Sequence, residues 1–534
     1  MTTFVHELIS HSAQRSPEAV ALQIKNDQFS YAQLNENVTK VAQAYVTLSI
    51  TQGDRIGVYL AKTQENVLSM FACSLLGAIF VPINPVLKAL QVHYIANDCQ
   101  IKLLITNRAR LTALTPLLSE FSALRTIIVI DANEQEIEKI ACPTTIKILS
   151  WQFFITQRKS NNNLKSSISP NDIAAILYTS GSTGQPKGIM LSHTNIVLGA
   201  KSVSQYLQQT AHDNILAVLP LSFDYGLNQL TSCFLVGAKC VLLDYLLAND
   251  VIKAISKYEI TGLAAVPPLW IQLTKVNWPK NTTHSVRYFT NSGGVLPLKT
   301  LAALRQNMPQ AKPYLMYGLT EAFRSSFLSP LEIDTRPNSM GKAIPHAEIL
   351  VVRDDGSSCD DDEVGELVHI GPLVTLGYWQ NEVATAERFK VTPKQAINKE
   401  KTRLAVFSGD YVKRDAEGFL YFIARKDTMI KTSGYRVSPT ELESVLLQCP
   451  QVDETAIIAI PSAALGQSII ALIVTSNHDQ QSSKVSIIKH CQRQLPNYMI
   501  PREIIFLTEL PRNANGKVDT NSLKMNYNKA SDLI

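Results

Sequence analysis

Short apolar runs alternate along the chain with longer stretches whose apolar residues recur at helical spacing. Residues 56–60, 79–83, 103–106 and 126–130 have the length and β-branched content of strands, and helical patterns lie between most of them. The alternation resumes with strands at 240–243 and 260–266 around a helix at 250–258, then a strand at 287–290. Strands apolar on both faces, alternating with helices, predict parallel sheets covered by helices, an α/β fold. No internal repeat is present.

After about Asp427 the pattern changes. Ser438-Pro439-Thr440-Glu441 has the form of a capping box with proline at the first helical position. Leu442, Val445, Leu446 and Cys449 follow at helical spacing. Strands at 454–460 and 468–475, a helix near 484–495 and a strand at 502–507 complete a small α+β unit. The chain has 534 residues. A single core stops growing near roughly 300 residues, so more than one domain is expected. The expected division is 1–426 and 427–534. The longest uncharged run, 66–87, contains Gly77, Pro82 and Pro85. It reads as a helix ending near Gly77 followed by a strand, not as a membrane span. Residues 157–170 and 393–403 are polar and read as exposed loops, and the acidic 354–363 as a solvated hairpin rather than a metal site.

Composition narrows the classes. Hydrophobic residues make up 46% and charged residues 18% of the chain. That excludes a disordered chain and a protein of many membrane spans. A net charge of +5 is not the footprint of a nucleic-acid binder. The eight cysteines include no C-x-x-C pair, and the N-terminus lacks the basic and apolar regions of a signal peptide. Reduced thiols and a cytoplasmic location are therefore expected.

The strongest chemical signal follows an apolar strand at 174–178. Thr179, Ser180, Gly181, Ser182, Thr183 and Gly184 run without interruption, and Lys187 and Gly188 come just after. Glycines let backbone N–H groups approach an anion, hydroxyls add donors, and Lys187 adds a point charge. The loop reads as a phosphate cradle, although a polar turn has the same composition. It is not a Walker A loop, which needs Ser or Thr directly after the lysine.

This loop resembles the signature of the adenylate-forming superfamily, which includes AMP-forming acyl-CoA ligases, luciferases and adenylation domains of nonribosomal peptide synthetases. Further motifs resemble that family in order: Phe29-Ser30-Tyr31, Leu76-Gly77-Ala78, Tyr317-Gly318-Leu319-Thr320-Glu321, Gly365-Glu366-Leu367 through Gly377-Tyr378, Ser408-Gly409-Asp410, Arg425-Lys426-Asp427, Leu495-Pro496-Asn497-Tyr498 and Asn515-Gly516-Lys517. The resemblance implies a large N-terminal domain of layered sheets and helices with a small mobile C-terminal lid. It implies ATP and Mg²⁺ as cofactors, an acyl-AMP intermediate, and a second step in which a thiol expels AMP.

Residue by residue, the resemblance implies Glu321 as magnesium ligand, Thr320 as donor to the α-phosphate, and Tyr317 stacked on adenine. Gly293 and Gly294 would allow close approach to the base. Asp410 would accept the ribose hydroxyls and Arg425 would reach ribose or phosphate. Lys517 would bridge the acid's carboxylate and the phosphate. Asp427 would be the lid hinge and Gly434 would line a pantetheine path. Ala424 and Ser408 depart from the family's usual Gly and Thr, which bears on lid kinetics. All the motif residues are otherwise present, which argues against a catalytically silent nucleotide-binding homologue.

The acid and the thiol are read from mixed signals. Phe223, Asp224 and Met316 fall at substrate-pocket positions. An aspartate after phenylalanine resembles amino-acid adenylation domains, where it binds the substrate ammonium. The alternative is that Asp224 pairs with a local Lys or Arg and the pocket is neutral. Asn515-Gly516-Lys517-Val518-Asp519 resembles the amino-acid group, whereas Leu319 and the stretch 431–439 resemble acyl-CoA ligases. The expectation is an amino-acid-activating enzyme, with proline a candidate, that serves a separate phosphopantetheinylated carrier protein. The alternative is an acyl-CoA ligase that acts on a fatty or aromatic acid with free coenzyme A.

Overall fold

The computed structural model describes residues 2–157, 167–179, 186–392, 404–426, 428, 430–432, 435–462, 466–476, 479–495, 497–513 and 516–531. The loop expected at 157–170 lies mostly outside the described residues, and 393–403 lies wholly outside.

Two large sheets carry the first part of the chain. One is nine-stranded, in the order Lys342–Ala343, Ser326–Leu328, Lys312–Tyr317, Tyr288–Asn291, Gly262–Ala265, Asn214–Ala217, Lys239–Leu242, Val20–Ile24, Asp27–Ser30. The other is seven-stranded, in the order Lys147–Ser150, Thr126–Val129, Leu103–Thr106, Arg55–Val58, Ile79–Pro82, Ile173–Thr179, Lys187–Ser192. Both are parallel in their interiors and antiparallel only toward edges. The strands expected from apolar runs are present, with ends shifted by one or two residues.

One apolar core is shared by both sheets. It holds Leu22, Leu216 and Val241 from the first and Ile56, Phe80 and Leu177 from the second. Helices Tyr31–Thr47, Gln64–Leu76, His193–Tyr206 and Asp224–Val236 contribute to the same core. The run 66–74 is buried without a break, as is 224–234. A helix buried all round needs apolar or small residues on every face, which explains the uncharged run read from the sequence. That run ends as expected: Gly77 caps its helix at φ 78° and strand Ile79–Pro82 follows. No described helix is long and apolar enough to cross a membrane.

A third sheet places Leu404–Arg414 between Val364–Ile370 and Leu420–Arg425. The fourth belongs to the C-terminal unit and joins Ile430–Thr432, Tyr435–Val437, Glu454–Ser462, Gly466–Val474 and Glu503–Leu507. Helix Pro439–Leu446 starts as the sequence predicts, with Ser438 Oγ accepting from Glu441 N at 3.2 Å. Leu442, Leu446, Cys449, Ile457 and Ile487 form a separate core there. The acidic hairpin is threaded by Arg353, which donates to Glu363 and Asp360. No three described His, Cys, Asp or Glu side chains are grouped to hold a metal. None of the eight cysteines is in a disulfide.

Candidate active site

Tyr317 ends strand Lys312–Tyr317, and Asp410 and Arg425 face each other across strands Leu404–Arg414 and Leu420–Arg425. The Tyr317 hydroxyl donates to Asp410 Oδ2 at 2.5 Å. Arg425 Nε lies 3.4 Å from the other oxygen, Oδ1. Burial raises the Asp410 carboxyl above its ordinary value, opposed by Arg425 and by the Tyr317 hydroxyl. Oδ1 is buried and accepts no hydrogen bond among the described residues. A buried acceptor without a donor suits a hydroxyl ligand, which fits the ribose role expected of Asp410. Tyr317 thus holds a carboxylate through its hydroxyl, a contact that its expected stacking role does not include.

Gly293 and Gly294 follow strand Tyr288–Asn291. Gly293 has φ 77°, a left-handed conformation that favours glycine. A Cβ at Gly293 would sit 3.3 Å from Val266, and one at Gly294 3.3 Å from Pro267. The tight neighbours are protein side chains, so packing against Val266 and Pro267 already accounts for this pair.

On the phosphate side, Thr179 and Lys187 pair across the hairpin between strands Ile173–Thr179 and Lys187–Ser192. Ser180, Gly181, Ser182, Thr183 and Gly184 lie outside the described residues. Lys187 Nζ sits 5.4 Å from the centre of the Tyr378 ring. The Tyr378 hydroxyl donates to Glu321 Oε1 at 2.7 Å. Thr320 and Glu321 open a 3₁₀ turn, Thr320–Ala322, and Thr320 is buried. Magnesium is usually held by one or two carboxylates together with phosphate oxygens and water. Glu321, without a surrounding acidic cluster, fits that mode and not an all-protein cage.

Lys517 is supplied by the C-terminal unit. Burial and Arg425 hold its ammonium below the ordinary lysine value, while Asp224, Asp410 and Glu321 oppose them. Each of these three carboxylates therefore lies within electrostatic reach of the lysine. The side chain is nonetheless open to solvent by area. The ammonium is thus surrounded by protein atoms yet reachable by water. Asp427 and Gly434 lie outside the described residues.

Asp224 starts helix Asp224–Val236 and Phe223 is its N-cap. A Cβ at Gly226 would lie 2.0 Å from the Pro220 carbonyl oxygen. Only glycine lets the first turn of this helix pack so closely. Met316 is buried, and the Tyr206 hydroxyl donates to its Sδ at 2.9 Å. Asp224 is 4% exposed and has a partner: Arg324 Nη1 lies 3.5 Å from its Oδ2. Arg324 is also buried, with its guanidinium 4.4 Å from the centre of the Tyr225 ring. Burial still raises the Asp224 carboxyl above its ordinary value, with Arg324 the main opposing influence. Between Glu321 and Arg324, Phe323 adopts φ 58° and ψ −40°, a strained conformation that turns the chain.

Sequence reasoning left Arg324 and Tyr378 without roles. Arg324 stands three positions after Glu321, and a local arginine for Asp224 was the open alternative. Tyr378 stands in the sequence only as the end of a motif. An open groove of about 960 Å³, lined by Tyr206, Arg305, Lys312, Tyr314, Phe327 and Leu331, contains none of the expected catalytic or nucleotide-binding residues.

The pattern described as AMP-binding enzyme matches residues 9–379, and that of the AMP-binding enzyme C-terminal domain matches 441–517. The chain belongs to the AMP-binding enzyme family. The L-proline--[L-prolyl-carrier protein] ligase of Pseudomonas fluorescens is 29% identical over 96% of this chain and 97% of its own length. A linear gramicidin synthase polypeptide of Brevibacillus parabrevis is 27% identical over 97% of this chain, which spans only 6% of that much longer protein. The o-succinylbenzoate coenzyme A synthetase of Bacillus subtilis, solved with ATP and magnesium, superposes with a TM-score of 0.79. It is 26% identical over 97% of this chain and 99% of its own. The relatives thus include a carrier-protein ligase and coenzyme A ligases at similar identity.

Proposed function

We propose that this chain activates an amino acid, with proline the first candidate, and passes the aminoacyl group to the phosphopantetheine thiol of a separate carrier protein. In the first step the acid's carboxylate oxygen attacks the α-phosphorus of ATP and the bond to pyrophosphate breaks. The reactants repel each other, so the protein's contribution is positioning and charge stabilisation. Lys517 would bridge carboxylate and phosphate, Thr320 would donate to the α-phosphate, and the Thr179–Lys187 hairpin would cradle the polyphosphate. Asp410 and Arg425 would hold the ribose, with Tyr317 fixing the carboxylate of Asp410. Glu321 would hold magnesium, which when bound offsets the charge of the polyphosphate. In the second step the thiolate attacks the acyl carbonyl and AMP leaves. Residues 427–534 would act as the lid, hinged at Asp427, with Gly434 beside the pantetheine path.

The observation that carries the amino-acid reading is the state of Asp224. It is buried, and the 3.5 Å contact with Arg324, a backbone hydrogen bond from Tyr225 and the more distant Lys517 offset its charge only in part, so its carboxyl stays above its ordinary value. A substrate ammonium would supply what a buried carboxylate lacks. The likeness to the prolyl-carrier protein ligase over both full lengths supports the same reading. The Asp224–Arg324 contact also favours a second reading, in which the pair is internally neutral and the chain is an acyl-CoA ligase of simple acids. ATP–pyrophosphate exchange with wild type and Asp224→Ala, across amino acids and simple acids, separates the two.

A further inference from the structure

Tyr378 is placed where three parts of the site meet. Its hydroxyl donates to Glu321 Oε1 at 2.7 Å, and its ring faces the Lys187 ammonium at 5.4 Å. The ring edge is set by Phe389, whose centroid is 5.7 Å away at 84°. The backbone around it is stitched to strand Lys187–Ser192. Met190 N donates to Gly377 O at 2.9 Å, Trp379 N to Gly188 O at 2.7 Å, and Leu376 N to Met190 O at 2.9 Å. The same segment grips the other partner, since Thr375 N donates to the Glu321 carbonyl at 2.9 Å. Tyr378 is 6% exposed, so its hydroxyl meets Glu321 largely out of water.

We infer that Tyr378 is a positioning residue that aims the Glu321 carboxylate and keeps it apart from Lys187. The inference rests on the proposed role of Glu321 as magnesium ligand. Lys187 and Glu321 both contact Tyr378, and a direct ion pair between them would draw both away from the polyphosphate. With Tyr378 between them, the ammonium rests on the ring face and the carboxylate on the hydroxyl. The proton stays on the tyrosine and no bond is made or broken. Partners that orient a metal-binding carboxylate typically account for about 10–100-fold in metal affinity or activity.

The test is ATP binding to the full chain by calorimetry, with and without Mg²⁺, in wild type, Tyr378→Phe and Glu321→Gln. In wild type, Mg²⁺ tightens ATP binding. Tyr378→Phe keeps the ring and loses the hydroxyl. It should weaken Mg·ATP binding by about 10-fold while leaving metal-free ATP binding unchanged. In pyrophosphate exchange the half-saturating Mg²⁺ concentration rises by a similar factor, and kcat at saturating Mg²⁺ holds within about threefold. Equal weakening with and without Mg²⁺, or no change in either, overturns the inference. If Glu321→Gln leaves the Mg²⁺ effect intact, the reading of Glu321 fails, independently of Tyr378. If Glu321→Gln abolishes the effect and Tyr378→Phe does not touch it, the inference alone fails.

Discussion

Arg324 holds Asp224 at 3.5 Å, and both side chains are buried. The contact is long for an ion pair, and Arg324 Nε and Nη2 have no hydrogen-bond partner among the described residues. A buried pair that leaves its arginine partly unsatisfied contributes little to stability as a pair. Removing one member alone costs about 3–5 kcal/mol, because the other charge is left without its partner.

Single and double substitutions therefore separate structure from recognition. Arg324→Met should lower the thermal midpoint, and Asp224→Asn/Arg324→Met should recover most of that loss. If Asp224 receives a substrate ammonium, the double variant regains stability but not amino-acid-dependent exchange. Recovery of both would mark the pair as structural only. Melting curves and exchange assays on the same preparations give the answer.

Lys517 is expected to act in one half-reaction. Lys517→Ala should abolish adenylation, by 100-fold or more on the scale of a lost oxyanion donor (about 3 kcal/mol). It should leave thioester formation from supplied acyl-AMP within a few fold. The pH profile follows from the same residue. Its pKa in the free protein is depressed, chiefly by burial. The active ammonium is therefore lost as pH rises, at a lower pH than for an ordinary lysine. The alkaline limb of kcat/KM for ATP, which reports the free enzyme, should move to higher pH in Lys517→Arg.

The Tyr317–Asp410 hydrogen bond predicts a binding defect. A bond to a charged acceptor contributes about 1.5–3 kcal/mol. Tyr317→Phe keeps the ring but takes that donor from Asp410 Oδ2, so neither carboxylate oxygen then has a side-chain hydrogen bond among the described residues. The KM for ATP should rise about 10–100-fold with kcat less affected. Steady-state kinetics with varied ATP decide it. A kcat effect without a KM effect contradicts the binding role of this bond.

The C-terminal unit buries one carboxyl, Glu443. Glu443 is pushed up to about 7 by burial, and accepts from Ile457 N at 2.9 Å. A carboxyl whose folded pKa exceeds its unfolded value holds its proton more tightly when folded. Its contribution is complete at low pH and is lost as pH rises from the ordinary glutamate range through about 7. The loss is at most roughly 3 kcal/mol, reduced because water reaches part of this side chain. Glu443→Gln, which keeps the acceptor, should raise the thermal midpoint at pH 8 and change it little at pH 5. Calorimetry at the two pH values checks both the sign and the window.

Much of this was legible in the sequence because it depends on local pattern. Apolar runs gave the strands, Gly77 and Ser438-Pro439 gave element ends, and the ordered motifs brought Tyr317, Asp410, Arg425 and Glu321 to one region. The partners between those motifs were not legible. That Arg324 turns back onto Asp224 depends on the strained turn at Phe323. That Tyr378 reaches Glu321 depends on segment 376–379 adding to the edge of strand Lys187–Ser192. Both arise from long-range packing, which spacing along the chain does not encode. The glycines at 293 and 294 show the reverse case, where a role expected from resemblance has an additional local reason in Val266 and Pro267.

The most direct test is ATP–pyrophosphate exchange with purified protein, Mg²⁺ and two panels of acids, one of amino acids including proline and one of fatty and aromatic acids. Exchange with one amino acid, lost in Asp224→Ala, is the predicted result and directs the search to a carrier protein. Exchange only with simple acids, unchanged in Asp224→Ala, would contradict the amino-acid account and leave an acyl-CoA ligase.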